Sequence, residues 1–134
     1  MAQYYDAKEI SRKLENQLHE SNWKKLDNDK LFKIELPVLL YFNYQRLTLY
    51  IYPVDDGYYI SDDGETFIEF SNDANYYFDL FNTQDKNYHY DIKLKDNHIC
   101  KKYRFDYRLM AAIDEFIRFF IYLDEYMGKN NIVW

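Results

Sequence analysis

Residues 46–66 read RLTLYIYPVDDGYYISDDGET. Leu47, Leu49 and Ile51 alternate with Thr48, Tyr50 and Tyr52, the two-residue period of a strand that lays one face on a core. Asp55-Asp56-Gly57 follows, a run suited to the positive φ that tight hairpin turns require. Tyr58 to Ser61 makes the next strand, Asp62-Asp63-Gly64 repeats the hairpin signal, and Thr66 to Phe70 is expected as a third strand. These segments predict an antiparallel three-stranded meander at the centre of the fold.

Working outward, Phe32, Ile34 and Leu36 alternate with Lys33 and Glu35, so another strand should lie beside the meander. Pro37 is expected to end or edge that strand, because it has no N–H to donate. Asp6 followed by Glu9 has the spacing of a capping box. Ala7, Ile10, Leu14 and Leu18 then recur at helical intervals, which predicts an amphipathic helix over residues 6–20. Residues 71–88 admit two readings, a short helix capped by Ser71-Asn72-Asp73 or an aromatic-rich loop. Tyr88 to Leu94 and His98 to Tyr103 alternate around Lys95-Asp96-Asn97, a further hairpin. Leu109, Ile113, Phe116, Phe120, Leu123 and Met127 form a heptad-like seam on a helix over about residues 106–127. Gly128 sits where a C-terminal cap is wanted, and an apolar tail closes the chain at Trp134. The expected architecture is a single α+β domain over residues 1–134. An antiparallel sheet of about four to six strands carries an N-terminal helix and a long C-terminal helix.

Composition narrows the class. The chain has 134 residues, 17 Lys+Arg against 23 Asp+Glu, and a net charge of −6, a length that suits one domain with a sizeable core. Three Gly, two Pro and one Cys exclude collagen-like, low-complexity and disulfide-framed proteins. A lone Cys fits a reducing compartment, and neither a secretory h-region nor a bilayer-spanning apolar run is visible. A cytoplasmic protein without a membrane partner is expected. Direct binding of nucleic acid is not, since that affinity comes from Lys and Arg neutralising phosphates. The run Lys101-Lys102-Tyr103-Arg104, with Arg108, reads as a solvated face.

Ile34 to Leu39, Leu47 to Tyr52, and above all Ser61-Asp62-Asp63-Gly64-Glu65-Thr66 resemble the domain of unknown function family 1828 of bacteria and phages. The resemblance covers residues 6–127 in order of elements, with residues 128–134 as a tail. Leu36 stands where that family commonly has Thr before Pro37. The resemblance implies the α+β architecture and no activity. It also implies a bacterial host cell and raises an accessory or counter-defence role.

Several residue groups could carry chemistry. Asp55, Asp56, Asp62, Asp63 and Glu65 could hold Mg²⁺, but acids in Asp-Gly turns more often serve their own backbone. Asp91-Ile92-Lys93 with upstream Asp62 imitates the acid and lysine arrangement of metal-dependent nucleases. Against this stands an ordinary exposed strand face with Lys93 and Lys95 alternating. His98 and Cys100 share a strand face, but a zinc site needs more ligands than this pair supplies. Neither a metal nor a cofactor is therefore called for. No glycines surround Ser61 as a nucleophile elbow would need.

The sixteen tyrosines are the most unusual feature. Tyrosine supplies large contact area and a polar tip at little entropy cost. The candidate contact residues are Tyr50, Tyr52, Tyr58, Asp62, Asp63, Glu65, Tyr76 and Tyr77. The bland alternative is a tyrosine-covered sheet held by cross-strand pairs. Three functions follow as expectations. The first is a non-enzymatic protein-binding module, phage- or mobile-element-linked, that inhibits or regulates a bacterial nucleic-acid-handling or defence protein in the anti-CRISPR manner. The second is a metal-dependent nuclease-like enzyme using Asp62, Asp91 and Lys93. The third is a structural module that forms a homodimer through its C-terminal helix.

Overall fold

A computed structural model of the chain describes residues 5–18, 23–25, 32–41, 44–67, 76, 78 and 90–129. Helix α1 spans Ala7–Leu18 and helix α2 spans Leu109–Lys129. Strands are β1 (Trp23–Lys25), β2 (Phe32–Leu40), β3 (Gln45–Val54), β4 (Gly57–Ser61), β5 (Lys93–Lys95) and β6 (His98–Arg104). They form one antiparallel sheet in the order β1-β2-β3-β4-β6-β5. The α+β architecture expected from the sequence is the one observed.

Both helices pack on one face of that sheet. Leu47, Leu49 and Ile51 of β3 join Ile10, Leu14 and Leu18 of α1 in a single core. The α2 seam of Leu109, Ile113, Phe116, Phe120, Leu123 and Met127 is buried in the same cluster, and Phe119 enters it as well. Burying this many large apolar side chains is the main source of stability, at about 1.5–3 kcal/mol for each fully buried one. Among the described residues no helix is long and apolar enough to cross a membrane.

The start of α1 is fixed twice. Asp6 caps it, its carboxylate accepting from Glu9 N–H at 2.9 Å. The β3–β4 turn supplies a second set of acceptors. Asp55 Oδ1 accepts from Ala7 N–H at 2.9 Å, and Asp56 Oδ1 from Tyr5 N–H at 2.7 Å. Tyr5 O accepts from Asp56 N–H in return, and Asp56 O accepts from Phe105 N–H.

Five local expectations are corrected. Thr66 and Phe67 lie in a turn and not in a strand, and residues 68–70 fall outside the described residues. The neighbour of β4 is therefore β6. The cause is Asp62, which binds Ile99 on both sides: Asp62 N–H donates to Ile99 O, and Ile99 N–H donates to Asp62 Oδ1 at 2.8 Å. Pro37 does not end its strand, because β2 shifts register between Glu35 and Leu39 and places Pro37 in a bulge. The hairpin glycine is not a turn residue. Asp55 and Asp56 make the turn, with Asp56 at φ 61°, and Gly57 opens β4. A Cβ there would meet Tyr103 O at 2.2 Å, so glycine is required for the close approach of β6. Helix α2 runs through Gly128 to Lys129 and does not stop there. Strand β1 has no sequence signal, being three residues without alternation. The β5–β6 hairpin forms where expected, with Asp96 and Asn97 both at positive φ. Its first strand is Lys93–Lys95 and not Tyr88 to Leu94, because Asp91 at φ 56° leaves the extended conformation, and residues 88–89 fall outside the described residues.

Candidate functional site

The helices leave the second face of the sheet to other groups. Cross-strand register places Lys33, Tyr50, Ser61, Cys100 and Lys93 in one row across it. Tyr52, Tyr59 and Lys102 make the adjacent row. Lysines lie against two of the rings: Lys33 Nζ is 6.0 Å from the Tyr50 centroid and Lys102 Nζ 5.9 Å from that of Tyr59.

After Ser61 the chain folds back over this face. Asp62 organises the turn from within. Its carboxylate accepts from Gly64 N–H at 2.9 Å, Thr66 N–H at 3.1 Å and Ile99 N–H at 2.8 Å. Asp63 and Gly64 take positive φ, 54° and 80°, and Asp63 N–H donates to Ser61 Oγ at 3.0 Å. The acids on the far side of the turn then meet the sheet. Tyr52 Oη donates to both Asp63 carboxylate oxygens, at 2.6 and 2.7 Å, and the Tyr50 hydroxyl bonds to Glu65. Burial first, and these carboxylates second, push both phenols far above their ordinary range. Glu65 Oε2 is buried without a hydrogen-bond partner among the described residues.

The structure therefore brings together Tyr50, Tyr52, Asp63 and Glu65, but not the rest of the expected contact set. Tyr58 points to the opposite face and is 1% exposed. Its hydroxyl donates to Tyr107 O at 2.6 Å and its ring stacks on Tyr103. Strand alternation is the reason, since Tyr58 pairs with Pro53 while Tyr59 pairs with Tyr52. Asp62 is also 1% exposed, its carboxylate fully engaged in the turn. Burial pushes its carboxyl up, against the pull of the Thr66 hydroxyl and the backbone donors. Tyr76 is exposed, two residues before Phe78, whose ring packs on Phe119 of α2. Tyr77 lies outside the described residues.

The nuclease arrangement is not assembled. Asp62 is a buried cap, whereas Asp91 and Lys93 are an exposed pair 3.7 Å apart at the sheet edge. No group of three or more His, Cys, Asp or Glu side chains converges among the described residues. His98 and Cys100 share the outward face of β6. Burial, more than the nearby Asp62 charge, raises the Cys100 thiol.

One constellation escaped the sequence reading. Lys101 points inward, where Nζ donates to Glu115 Oε1 at 2.5 Å and to Tyr90 O at 2.7 Å. The hydroxyls of Tyr103 and Tyr107 donate to the two Glu115 oxygens, each at 3.2 Å. The signal was available in β6. Ile99, Lys101 and Tyr103 share a face there, so a core-facing Ile and Tyr place Lys101 inside, and a lysine at such a position needs an acid.

Compared with known proteins, the chain matches no family model, no curated protein and no solved structure.

Proposed function

We propose that this chain is a non-enzymatic protein-binding module that lays the Tyr50–Tyr52 half of the outward face of its sheet on a partner. The observation that carries the reading is the pinned pair of Tyr52 and Asp63, together with Tyr50 and Glu65. Side chains already held by one another lose little freedom on binding, and that lowers the cost of association. Tyrosines interleaved with acids, in a chain of net charge −6, suit a basic surface on the partner. The resemblance through Ser61 to Thr66 supports a phage- or mobile-element-linked role. In that setting the partner is a bacterial nucleic-acid-handling or defence protein, inhibited or regulated in the host cytoplasm.

The test is affinity capture from a bacterial lysate with mass spectrometry, comparing wild type with Asp63→Lys and with Met110→Ala. Met110 is exposed on α2, away from the sheet face. One stoichiometric partner retained by Met110→Ala and lost by Asp63→Lys, both folded, supports the reading. A partner retained equally by both variants removes the assignment to this face.

Self-association is the second reading. Its support is an apolar groove of about 400 Å³ between β2 and α2, lined by Val38, Leu39, Leu40, Tyr41 and Ile121. Leu39 and Ile121 are 47% and 44% exposed. Sedimentation equilibrium of wild type against Ile121→Lys decides it: a dimer that dissociates in the variant supports this reading, and a monomer at high concentration ends it.

A further inference from the structure

The other half of the outward face has the opposite electrostatic character. A groove of about 410 Å³ opens along β4, β6 and β5, lined by Tyr59, Lys93, Lys95, Cys100 and Lys102 among others. Register explains the convergence. Lys93 is opposite Cys100, Lys95 opposite His98, and Tyr59 opposite Lys102, so all six side chains leave the same face. Leu94 packs on the core from the other side. Asp91 is the one acid in the lining, and it reaches only Lys93, at 3.7 Å with both side chains largely exposed. Among the described residues no carboxylate lies within 4.0 Å of the Lys95 or Lys102 ammonium. In a chain of net charge −6 this is a local reversal of sign.

The groove combines two features. Lysines stand along its length, and the Tyr59 ring, 40% exposed, stands at one end with Lys102 beside it. Lysines attract phosphate oxygens, and an accessible aromatic ring offers a stacking surface to a nucleobase. Arginine forks are missing from the lining, so a bare phosphate gains little there beyond point charge. A ligand that carries both a ring and phosphates uses every part of the groove.

We propose that this groove binds a nucleoside phosphate, with the base on Tyr59 and the phosphates along Lys102, Lys95 and Lys93. The site goes beyond the protein-binding reading and does not depend on it, since it uses none of Tyr50, Tyr52, Asp63 or Glu65. Two sources share this chemistry, a free nucleotide and a nucleotide within a single strand. Because β5 is the sheet edge, the groove is open to either.

The experiment is equilibrium binding at low salt with three probes: inorganic phosphate, ADP and a labelled single-stranded oligothymidylate. Wild type is compared with Lys95→Glu/Lys102→Glu, with Tyr59→Leu, and with Lys33→Glu as a charge control on the same face. Each variant is first checked for an unchanged melting transition. The charge pair is expected to lose about tenfold or more in affinity. Tyr59→Leu is expected to lose about fivefold or more, the low end of base stacking on an aromatic ring. Lys33→Glu should change little. Binding of ADP identifies a free nucleotide as the source, and binding of the oligonucleotide alone identifies a strand. No binding of either overturns the proposal. So does binding indifferent to Lys95→Glu/Lys102→Glu, and so does binding in which Tyr59→Leu has no effect and phosphate competes as well as ADP.

Discussion

Tyr52 Oη donates to both carboxylate oxygens of Asp63, at 2.6 and 2.7 Å. A strand residue thus holds an acid eleven positions further along the chain down on the sheet. The pair is partly solvated, so its contribution is modest. A double-mutant cycle with Tyr52→Phe and Asp63→Ala should give a coupling of about 1 kcal/mol by urea unfolding. Additive single-mutant effects would show that the contact does not stabilise the turn.

Asp62 is the more demanding position. Asp62→Ala leaves the N–H groups of Gly64, Thr66 and Ile99 without their acceptor. Each such buried donor costs about 1–3 kcal/mol, with less than additive totals. A loss of about 2–4 kcal/mol is expected, and Asp62→Asn, which keeps one acceptor oxygen, should lose less. Equal stability of Asp62→Ala and wild type in urea would show that these three hydrogen bonds do not hold the turn.

Gly57→Ala should be among the most damaging single changes. The added methyl group would lie 2.2 Å from the carbonyl oxygen of Tyr103, and β4 and β6 would have to separate. A loss of about 3 kcal/mol or more is expected, at or above the upper range for overpacking. A melting temperature within a degree or two of wild type would show that the strands can move apart freely.

Lys101 and Glu115 make a largely buried ion pair, with 21% and 16% of their side chains exposed. Removing one partner should cost about 3 kcal/mol, because the other charge is left in place. Replacing both, as Lys101→Met/Glu115→Leu, should recover much of that loss. If the double variant is less stable than either single one, the pair stabilises the fold beyond mutual neutralisation.

The phenols of Tyr50, Tyr52, Tyr58 and Tyr103 are all raised, chiefly by burial. Their unfolded value is about 10. The neutral form is therefore favoured in the fold, so the stability linked to it is complete below pH of about 10. It is lost as pH rises further, where the unfolded chain releases protons that the native chain retains. Urea midpoints should fall steeply above that pH, and Tyr50→Phe/Tyr52→Phe should flatten the fall. A midpoint independent of pH into strong alkali would contradict the assignment.

What the sequence made legible follows from where local periodicity was decisive. Leu47, Leu49 and Ile51 announced β3, and the seam from Leu109 to Met127 announced α2, because a single apolar face dictated both. The pairing of β4 was not legible. Asp62-Asp63-Gly64 carries the same letters whether it closes a hairpin or coils back, and the choice is made by Ile99, thirty-seven positions away. The contact face was half legible for a related reason. Tyr50 and Tyr52 share a parity that puts them outside, and adjacent Tyr58 and Tyr59 can be divided only once the register of β4 against β3 is known. Alternation placed Lys93 and Lys95 on one exposed strand face, but net charge concealed that they join Lys102 and Tyr59 in a groove. A sum over the chain carries no position, and of the Lys101-Lys102 pair one turns to Glu115 and the other to the open face.

The acceptors at the start of α1 have a consequence for how the chain comes into being on the ribosome. The helix, Ala7–Leu18, is translated before β3 and β4, but two of the carboxylates that hold its start belong to Asp55 and Asp56. Until those residues emerge and β3 and β4 close into their hairpin, the nascent helix has Asp6 as its one cap among the described residues. A twelve-residue helix is marginal in water by itself. Helix α1 is thus stabilised only after elements that follow it in the chain, and the hairpin of β3 and β4 sets the moment at which its first turn settles.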